Sequence, residues 1–384
     1  MKIVIAPDSF KESLSALQVA EQIEAGFREI YPDATYVKLP VADGGEGTVE
    51  ALVAATKGKI ISVSVTGPAG DPVEAFYGLT GDGRTAVIEM AAASGLMLLD
   101  PARRNPLHTT TRGVGELIRA ALDAGARKFI LGIGGSATND GGAGMVQALG
   151  GRLLDSDGRD LGPGGGPLDT LARIDVGGLD PRIADCKIEV ACDVDNPLIG
   201  PKGASAVFGP QKGATPDMVR QLDANLAHYA EKIRSDLGIA VADLPGGGAA
   251  GGLGAAMFAF LGAELRAGSA IVMNAVGLAD VVADADLVIT GEGRMDSQTI
   301  HGKTPIGVAD VAQRFGKPVI AIAGCLSADA GAVHDHGIEA VFSVLSRSCT
   351  VEEALAEGAD NLRITARNVA AVLRLGQSIA GAAS

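Results

Sequence analysis

The sequence predicts a two-domain α/β protein, one domain built on a mainly parallel sheet and the other, an α/β domain with some hairpin structure, inserted into it. Three observations carry this expectation. Strand-like apolar runs alternate with helical periodicity at both ends of the chain, Lys2–Ala6 before the periodic stretch Leu14–Ile30, and Pro318–Ala323 after the helical segment Ile306–Phe315. Between Val63 and Ala93, short alternating runs are instead broken by Gly67-Pro68, Gly70-Asp71 and Gly81-Asp82-Gly83, which signals hairpins. A chain of 384 residues, 47% apolar and 20% charged, is globular in composition and longer than one ordinary domain. The expected boundaries are residues 1–62 with 283–384 for the discontinuous domain and 63–282 for the insertion.

The elements follow in order. Leu14, Leu17, Ala20, Ile23, Phe27 and Ile30 recur at helical spacing, Ser15 with Gln18 resembles a capping box, and Pro32 stops the helix before a second strand, Thr35–Val41. Both strands end in polar loops, Asp8-Ser9-Phe10-Lys11 and Asp43-Gly44-Gly45-Glu46-Gly47. In parallel sheets the carboxyl ends of strands are where ligands bind. The apolar run Phe129–Ile133 reads as a buried strand and leads without a spacer into Gly134-Gly135-Ser136-Ala137-Thr138-Asn139-Asp140-Gly141-Gly142, with a helix expected over Ala143–Leu149. A glycine-rich turn of that kind exposes N–H groups able to cradle phosphate oxygens. A connecting turn needs glycine for its dihedrals but not so many polar side chains, so the loop reads as a site. Toward the C-terminus, Asp286–Ile289 and Ala340–Val344 complete the strands and Val351–Leu375 forms a last helix.

Charge and composition exclude several function classes. A formal net charge of −14 argues against nucleic acid, and any anionic substrate must be met by local Lys, Arg, N–H groups or a metal. Cys186, Cys192, Cys325 and Cys349 show neither CxxC spacing nor disulfide density, which argues against zinc. The start of the chain directly on a strand, without a leader, points to the cytoplasm. Leu244–Ala263 is 20 residues without a charge, but Pro245 and seven glycines make it a glycine-rich loop feeding a buried helix, Gly254–Leu265, rather than a membrane span.

The chemistry-bearing residues gather after apolar strands. Gly291-Glu292-Gly293-Arg294-Met295-Asp296-Ser297-Gln298-Thr299 packs two carboxylates, a guanidinium and several hydroxyls into one loop. Asp43 and Glu46 are suited to Mg2+ or to a hydroxyl proton, and Asp193-Val194-Asp195-Asn196-Pro197 is a further acidic loop after Ile188–Ala191. Lys212, between Gly209 and Gly213, suits a phosphate or carboxylate contact. Gly302-Lys303-Thr304 is not a Walker motif, since Ser297 stands where its first glycine belongs, although Lys303 can still reach an anion. His108, His228, His301, His334 and His336 form no metal-spaced pair, and no GxSxG elbow occurs.

Three functions compete. Phosphoryl transfer from ATP to a small hydroxylated acid needs N–H cradles, Mg2+-binding carboxylates, cations and an acid near the acceptor hydroxyl, and all are present. An NAD(P)-dependent dehydrogenase of a small hydroxy acid is suggested by Gly132-x-Gly134-x-x-Ala137 with Asp155 beyond. A non-catalytic metabolite-binding protein is the third, though it has no need of so many carboxylates. Asp140 discriminates: a carboxylate about 4 Å from a phosphate charge costs about 1 kcal/mol in water and about 4 at a surface-like dielectric. An intervening Mg2+ reverses that sign and favours the kinase.

Six stretches in this order resemble one family: Ile5–Lys11, Ala42–Gly47, Gly134–Gly142, Asp193–Leu198, Phe208–Gly213 and Thr290–Gln298. The chain is similar to the type I glycerate kinases over nearly its full length, with Glu12 standing where members often carry glycine. The resemblance implies a Rossmann-like domain in a two-domain α/β fold, ATP- and Mg2+-dependent phosphorylation of D-glycerate, usually to 2-phosphoglycerate, and a monomer or homodimer. It also organises the candidate roles. Gly134, Gly135, Ser136, Asn139, Asp140 and Lys303 are expected at the nucleotide, and Asp43, Glu46 and Glu292 at Mg2+. Asp193, Asp296 and Lys11 are the expected catalytic groups, with Asp193 or Asp296 as the base. Asp8, Ser9, Arg294, Lys212, Asn196 and Gln298 are expected at the substrate.

Overall fold

Ser15 opens the first helix with both halves of a capping box: its hydroxyl accepts from the N–H of Gln18, and the Gln18 side chain accepts from the N–H of Ser15. The helix, Ala16–Arg28, buries Val19, Ala20, Ile23 and Phe27 on one face. A computed structural model describes residues 1–382. Main-chain pairing defines β1 (Lys2–Ile5), β2 (Thr35–Lys38), β3 (Lys59–Thr66), β4 (Pro72–Leu79), β5 (Thr85–Glu89), β6 (Lys128–Gly132), β7 (Arg152–Leu154) and β8 (Arg173–Asp175). It continues with β9 (Lys187–Ala191), β10 (Glu264–Arg266), β11 (Leu287–Thr290), β12 (Arg294–Met295), β13 (Val319–Ala323), β14 (Cys325–Leu326) and β15 (Ala340–Ser343).

Two units separate. The first holds residues 1–43, 50–57 and 269–384, and the second 44–49 and 58–268. The units divide at 57/58 and 268/269 where 62/63 and 282/283 were expected, and the passage 44–49 goes with the second unit, which no composition change signals.

The first unit carries a five-stranded sheet in the order β15-β13-β11-β1-β2, with every neighbouring pair parallel. From β1 the chain steps one way to β2 and later returns on the other side as β11. The strand order therefore reverses between β1 and β11, and the loops leaving their carboxyl ends diverge there, the position where open parallel sheets bind ligands. The N–H of Asp8 donates to the carbonyl of Gly291 at 2.8 Å, which joins the two loops at their roots. Ile3, Ile5, Ile289 and Ile322 bury against Ile23 and Phe27 and against Leu362, Ala366 and Val369 of the helix Gly358–Ala382. The single last helix expected from Val351 is two, Val351–Ala356 and Gly358–Ala382.

The second unit holds a six-stranded sheet, β10-β9-β6-β5-β4-β3. The expected hairpins are present: β3 pairs antiparallel with β4 and β4 with β5, whereas β5, β6, β9 and β10 run parallel. The uncharged stretch forms the helix Ala249–Leu261, whose first residues Ala250, Gly251 and Gly252 are left-handed, so regular helix begins at Leu253. It ends at Gly262 and gives way to β10 where helix was expected to continue to Leu265. Among the described residues, no helix is long and apolar enough to cross a membrane.

Glu12 departs from ordinary backbone geometry. It sits in the tight turn between Phe10 and Leu14 with φ of 63°, and its side chain is exposed. Left-handed backbone costs a residue bearing a Cβ about 1–2 kcal/mol, which explains the glycine common at this position in the family that the chain resembles. Part of that gain is offset by the larger freedom of glycine in the unfolded chain. Glu12→Gly is expected to stabilise the protein by about 0.5–1 kcal/mol, read as a raised midpoint in urea denaturation.

Candidate functional site

At the strand-order reversal of the first unit, β1 delivers Asp8 and β11 delivers Glu292. The Asp8 carboxylate accepts from the Ser9 N–H at 2.6 Å, from the Ser9 hydroxyl at 3.3 Å and from the Thr304 hydroxyl at 2.6 Å. Burial pushes its carboxyl up to about 6; the Asp43 charge adds to the rise, while Thr304, Ser9 and Lys11 oppose it. Glu292, 9% exposed, accepts from the Thr299 hydroxyl at 2.6 Å and faces the Lys303 ammonium at 3.7 Å. Burial raises its carboxyl too, and Asp8 and Asp296 add like charge. Asp8, Asp43, Glu292 and Asp296 thus act on one another within one charged group, with Lys303 and Lys11 beside them.

The remaining loop residues are mostly committed to shaping the loop. Asp296 accepts from the Gln298 N–H at 2.9 Å and pairs with the Arg294 guanidinium at 3.4 Å, which is itself largely exposed. Gly291 is dictated by close approach, since a Cβ there would collide with the carbonyl of Ile322. Lys11 and Gln298 are exposed.

In the second unit, the loop after β6 divides sharply in exposure. Gly134 and Gly135 are exposed, whereas Ser136 is 6% exposed and Thr138, Asn139 and Asp140 are fully buried. Asp140 accepts from the Thr111 N–H and hydroxyl, both at 2.8 Å, and from the N–H groups of Gly142 at 3.1 Å and Gly144 at 3.2 Å. Burial pushes its carboxyl up, and these donors counter that. The bridge to Mg2+ read for Asp140 is therefore corrected: its lone pairs are spent on the loop and on the start of the helix Arg112–Asp123. The nucleotide role expected of Asn139 changes likewise, because its amide donates inward to the Ser205 hydroxyl at 2.9 Å. Lys212, expected at the substrate, is 1% exposed and donates to the Ser136 hydroxyl at 2.7 Å and the Thr138 carbonyl at 2.6 Å.

Asp193 is exposed and accepts from the Gly268 N–H at 3.0 Å, and the Asn196 amide is turned onto the Lys202 carbonyl at 2.8 Å. Glu46 is exposed in the second unit, so the trio expected at Mg2+, Asp43, Glu46 and Glu292, is divided between the units. Among the described residues, no three His, Cys, Asp or Glu side chains come together as a ready-made metal cage. The dinucleotide alternative loses its acidic residue: Asp155 accepts from the N–H groups of Asp157 and Arg159 in a turn beyond β7, a strand of the two-stranded sheet β7-β8.

Thr111, Thr299 and Thr304 were missed. Only Thr111 carried a signal, the triple threonine Thr109-Thr110-Thr111 directly before a helix. Thr299 and Thr304 sit within stretches recognised for their charges, and nothing in sequence separates a hydroxyl that orients a carboxylate from one that faces water.

A family model described as glycerate kinase family matches residues 3–374. The chain belongs to that family. It is 62% identical over 379 residues to a glycerate kinase of Bacillus subtilis (strain 168), covering 99% of each. It is 61% identical over 381 residues to a glycerate 2-kinase of Escherichia coli (strain K12), covering 99% of this chain and 100% of that one. The crystal structure assigned to glycerate kinase 2 of Salmonella typhimurium LT2 superposes with a TM-score of 0.93 at 65% identity, over 98% of this chain and 99% of that one.

For a glycerate kinase family member, the internal role of Asp140 has a consequence that separates it from a metal ligand. Asp140→Asn keeps one acceptor oxygen but sets an amide NH2 in place of the other, against at least one of the four donors, and leaving such groups unpaired in the interior costs about 3 kcal/mol. The expected outcome is a loss of that size in urea denaturation with Mg2+ absent. A metal-bridging residue would leave metal-free stability untouched.

Proposed function

We propose that the protein transfers the terminal phosphoryl group of ATP to the 2-hydroxyl of D-glycerate, giving 2-phospho-D-glycerate and ADP. The observation that carries this reading is the likeness, over 99% of the chain, to a protein named glycerate 2-kinase. ATP as co-substrate assigns the reaction to the cytoplasm.

The carboxylates of the first unit supply the chemistry. The Asp8 carboxyl, raised to about 6, is ionised at neutral pH yet basic enough to take the hydroxyl proton of glycerate on a free lone pair, while Ser9 and Thr304 fix its orientation. This favours Asp8 over Asp193 and Asp296 as the base, because Asp296 is occupied in its own turn and Asp193 is exposed and accepts from the Gly268 N–H. Lys11, Arg294 and Lys303 are the cations offered to the glycerate carboxylate and to the transferring group, where positive charge offsets the charge that develops. In the second unit, the exposed backbone of Gly134 and Gly135 is the surface offered to nucleotide phosphates.

The donor set also fits Mg2+. Asp43 and Glu292 provide hard oxygen ligands, and the like charge that adds to the effect of burial, from Asp43 at Asp8 and from Asp8 and Asp296 at Glu292, is what a cation would relieve. Mg2+ characteristically takes one or two carboxylates and completes its shell with water and substrate phosphates, so a three-carboxylate cage is not required. When bound it would neutralise phosphate charge.

A coupled ADP-release assay with Mg2+, ATP and D-glycerate tests the reaction, and phosphorus NMR of the product distinguishes the 2- from the 3-phosphate. No glycerate-stimulated ADP release would overturn the reading. Asp8→Asn is expected to lower kcat by about 10²–10⁴-fold with little change in KM for ATP. Protonated Asp8 cannot accept a proton, so kcat is expected to fall as pH drops through about 6 and to level above it. A wild-type profile flat across that range would remove Asp8 as the base.

A further inference from the structure

Lys212 ends the short turn Pro210–Lys212, which Gly213 closes with φ of +88°. That geometry sends a full ammonium into the interior, beneath the Gly134–Gly142 loop. An ammonium has three donors and no acceptor, so the Ser136 hydroxyl oxygen accepts from it, and the hydroxyl keeps its own hydrogen for another partner. Among the described residues the Ser136 hydroxyl donates to none of the neighbours with which it is bonded, while the main chain around it is already fixed: Ala137 N–H to the Ser94 carbonyl at 2.9 Å and Leu96 N–H to the Gly135 carbonyl at 2.9 Å. Ser136 follows directly on exposed Gly135, and its 6% exposure is the last access to water before the loop turns inward.

We infer that Lys212 is a positioning residue that acts through Ser136, its ammonium polarising the Ser136 hydroxyl so that this group donates outward to a nucleotide phosphate beside Gly134 and Gly135. The inference rests on the reading of this loop as the phosphate cradle. Charge-assisted hydrogen bonds are about twice as strong as neutral ones, and bonds in a low-dielectric interior polarise one another. The second ammonium bond, to the Thr138 carbonyl, fixes the nitrogen under the loop; replacing Lys212 removes this bond as well, so Ser136→Ala is the variant that isolates the hydroxyl. Asp140 is the charged group that acts on Lys212; Asp140 also acts on buried Tyr229, and the Arg104 guanidinium reaches the carbonyl of Gln211, next to Lys212, at 3.4 Å. Burial pulls the Lys212 ammonium down to about 7 against the opposing pull of Asp140.

The test measures binding of a non-hydrolysable ATP analogue by calorimetry, so its outcome does not depend on glycerate being the acceptor, alongside KM and kcat in the ADP-release assay. Ser136→Ala, Lys212→Gln and Lys212→Met are each expected to weaken analogue binding about tenfold and leave KM for D-glycerate unchanged. Combining Ser136→Ala with Lys212→Gln is expected to cost no more than either alone. A double variant that loses the product of the two single effects, or a Ser136→Ala variant that binds like the wild type, overturns the inference. Should the Lys212 variants not fold, the affinity ratio of wild type to Ser136→Ala across pH 6 to 9 decides it, since the ionisation of the analogue cancels in that ratio. The ratio is expected to shrink as Lys212 loses its proton, and a ratio independent of pH overturns the relay. Retained analogue binding with no glycerate-stimulated ADP release would instead overturn the proposed function and leave this inference standing.

Discussion

A buried carboxylate must be supplied with donors or it will not stay charged, and the arrangement around Asp140 follows from that requirement. Its four accepted bonds draw together the end of the glycine loop, the first turn of the helix Ala143–Ala148 and the start of the helix Arg112–Asp123. Two of the donors are main-chain N–H groups of glycines, and close approach explains why. A Cβ on Gly144 would collide with the Thr110 hydroxyl, and one on Gly142, whose φ is +76°, with the Ala256 side chain. The glycines that make the loop conspicuous in sequence are thus partly the consequence of packing backbone around one charge.

That distinction sets what could be read before the structure. Local signals were dependable: the capping box at Ser15, the hairpins between β3, β4 and β5, and the polar loops after β1 and β11 all depend on residues within a few positions of one another. Asp8 and Glu292 were legible as site residues because each follows an apolar strand whose end can be recognised. The direction of a side chain inside a loop was not legible. Asn139, Asp140 and Lys212 have the composition of ligand-binding residues, and only burial reveals that they bind the protein's own backbone and hydroxyls. Thr304 is the converse, an unremarkable hydroxyl that orients Asp8 across 296 positions of chain.

Burial also separates two uses of a perturbed charge. Asp8 and Asp140 are both raised, and desolvation is the largest cause for both. Asp140 is sealed by four donors in the interior, so its perturbation is a cost of structure. Asp8 is only half-buried and has a like charge for a neighbour, so its perturbation falls on a group that is not sealed in the interior. A shifted carboxyl therefore identifies chemistry only when access accompanies it.

Access alone would still leave an electrostatic problem, since ATP and glycerate are anions and the chain carries a net charge of −14. At physiological ionic strength the Debye length is about 8 Å, so most of that charge is screened from a bound ligand and the nearest groups decide. Lys303 stands 3.7 Å from Glu292, and Lys11 is close enough to lower the Asp8 carboxyl. In the second unit the Lys212 ammonium is held in the interior against Ser136, which follows the exposed Gly134–Gly135 backbone, and there the dielectric is low and its field is little attenuated. A globally acidic protein can thus bind acidic substrates because the local cations, Lys303 and Lys11 in one unit and Lys212 in the other, and not the distant carboxylates, set the potential that a ligand meets.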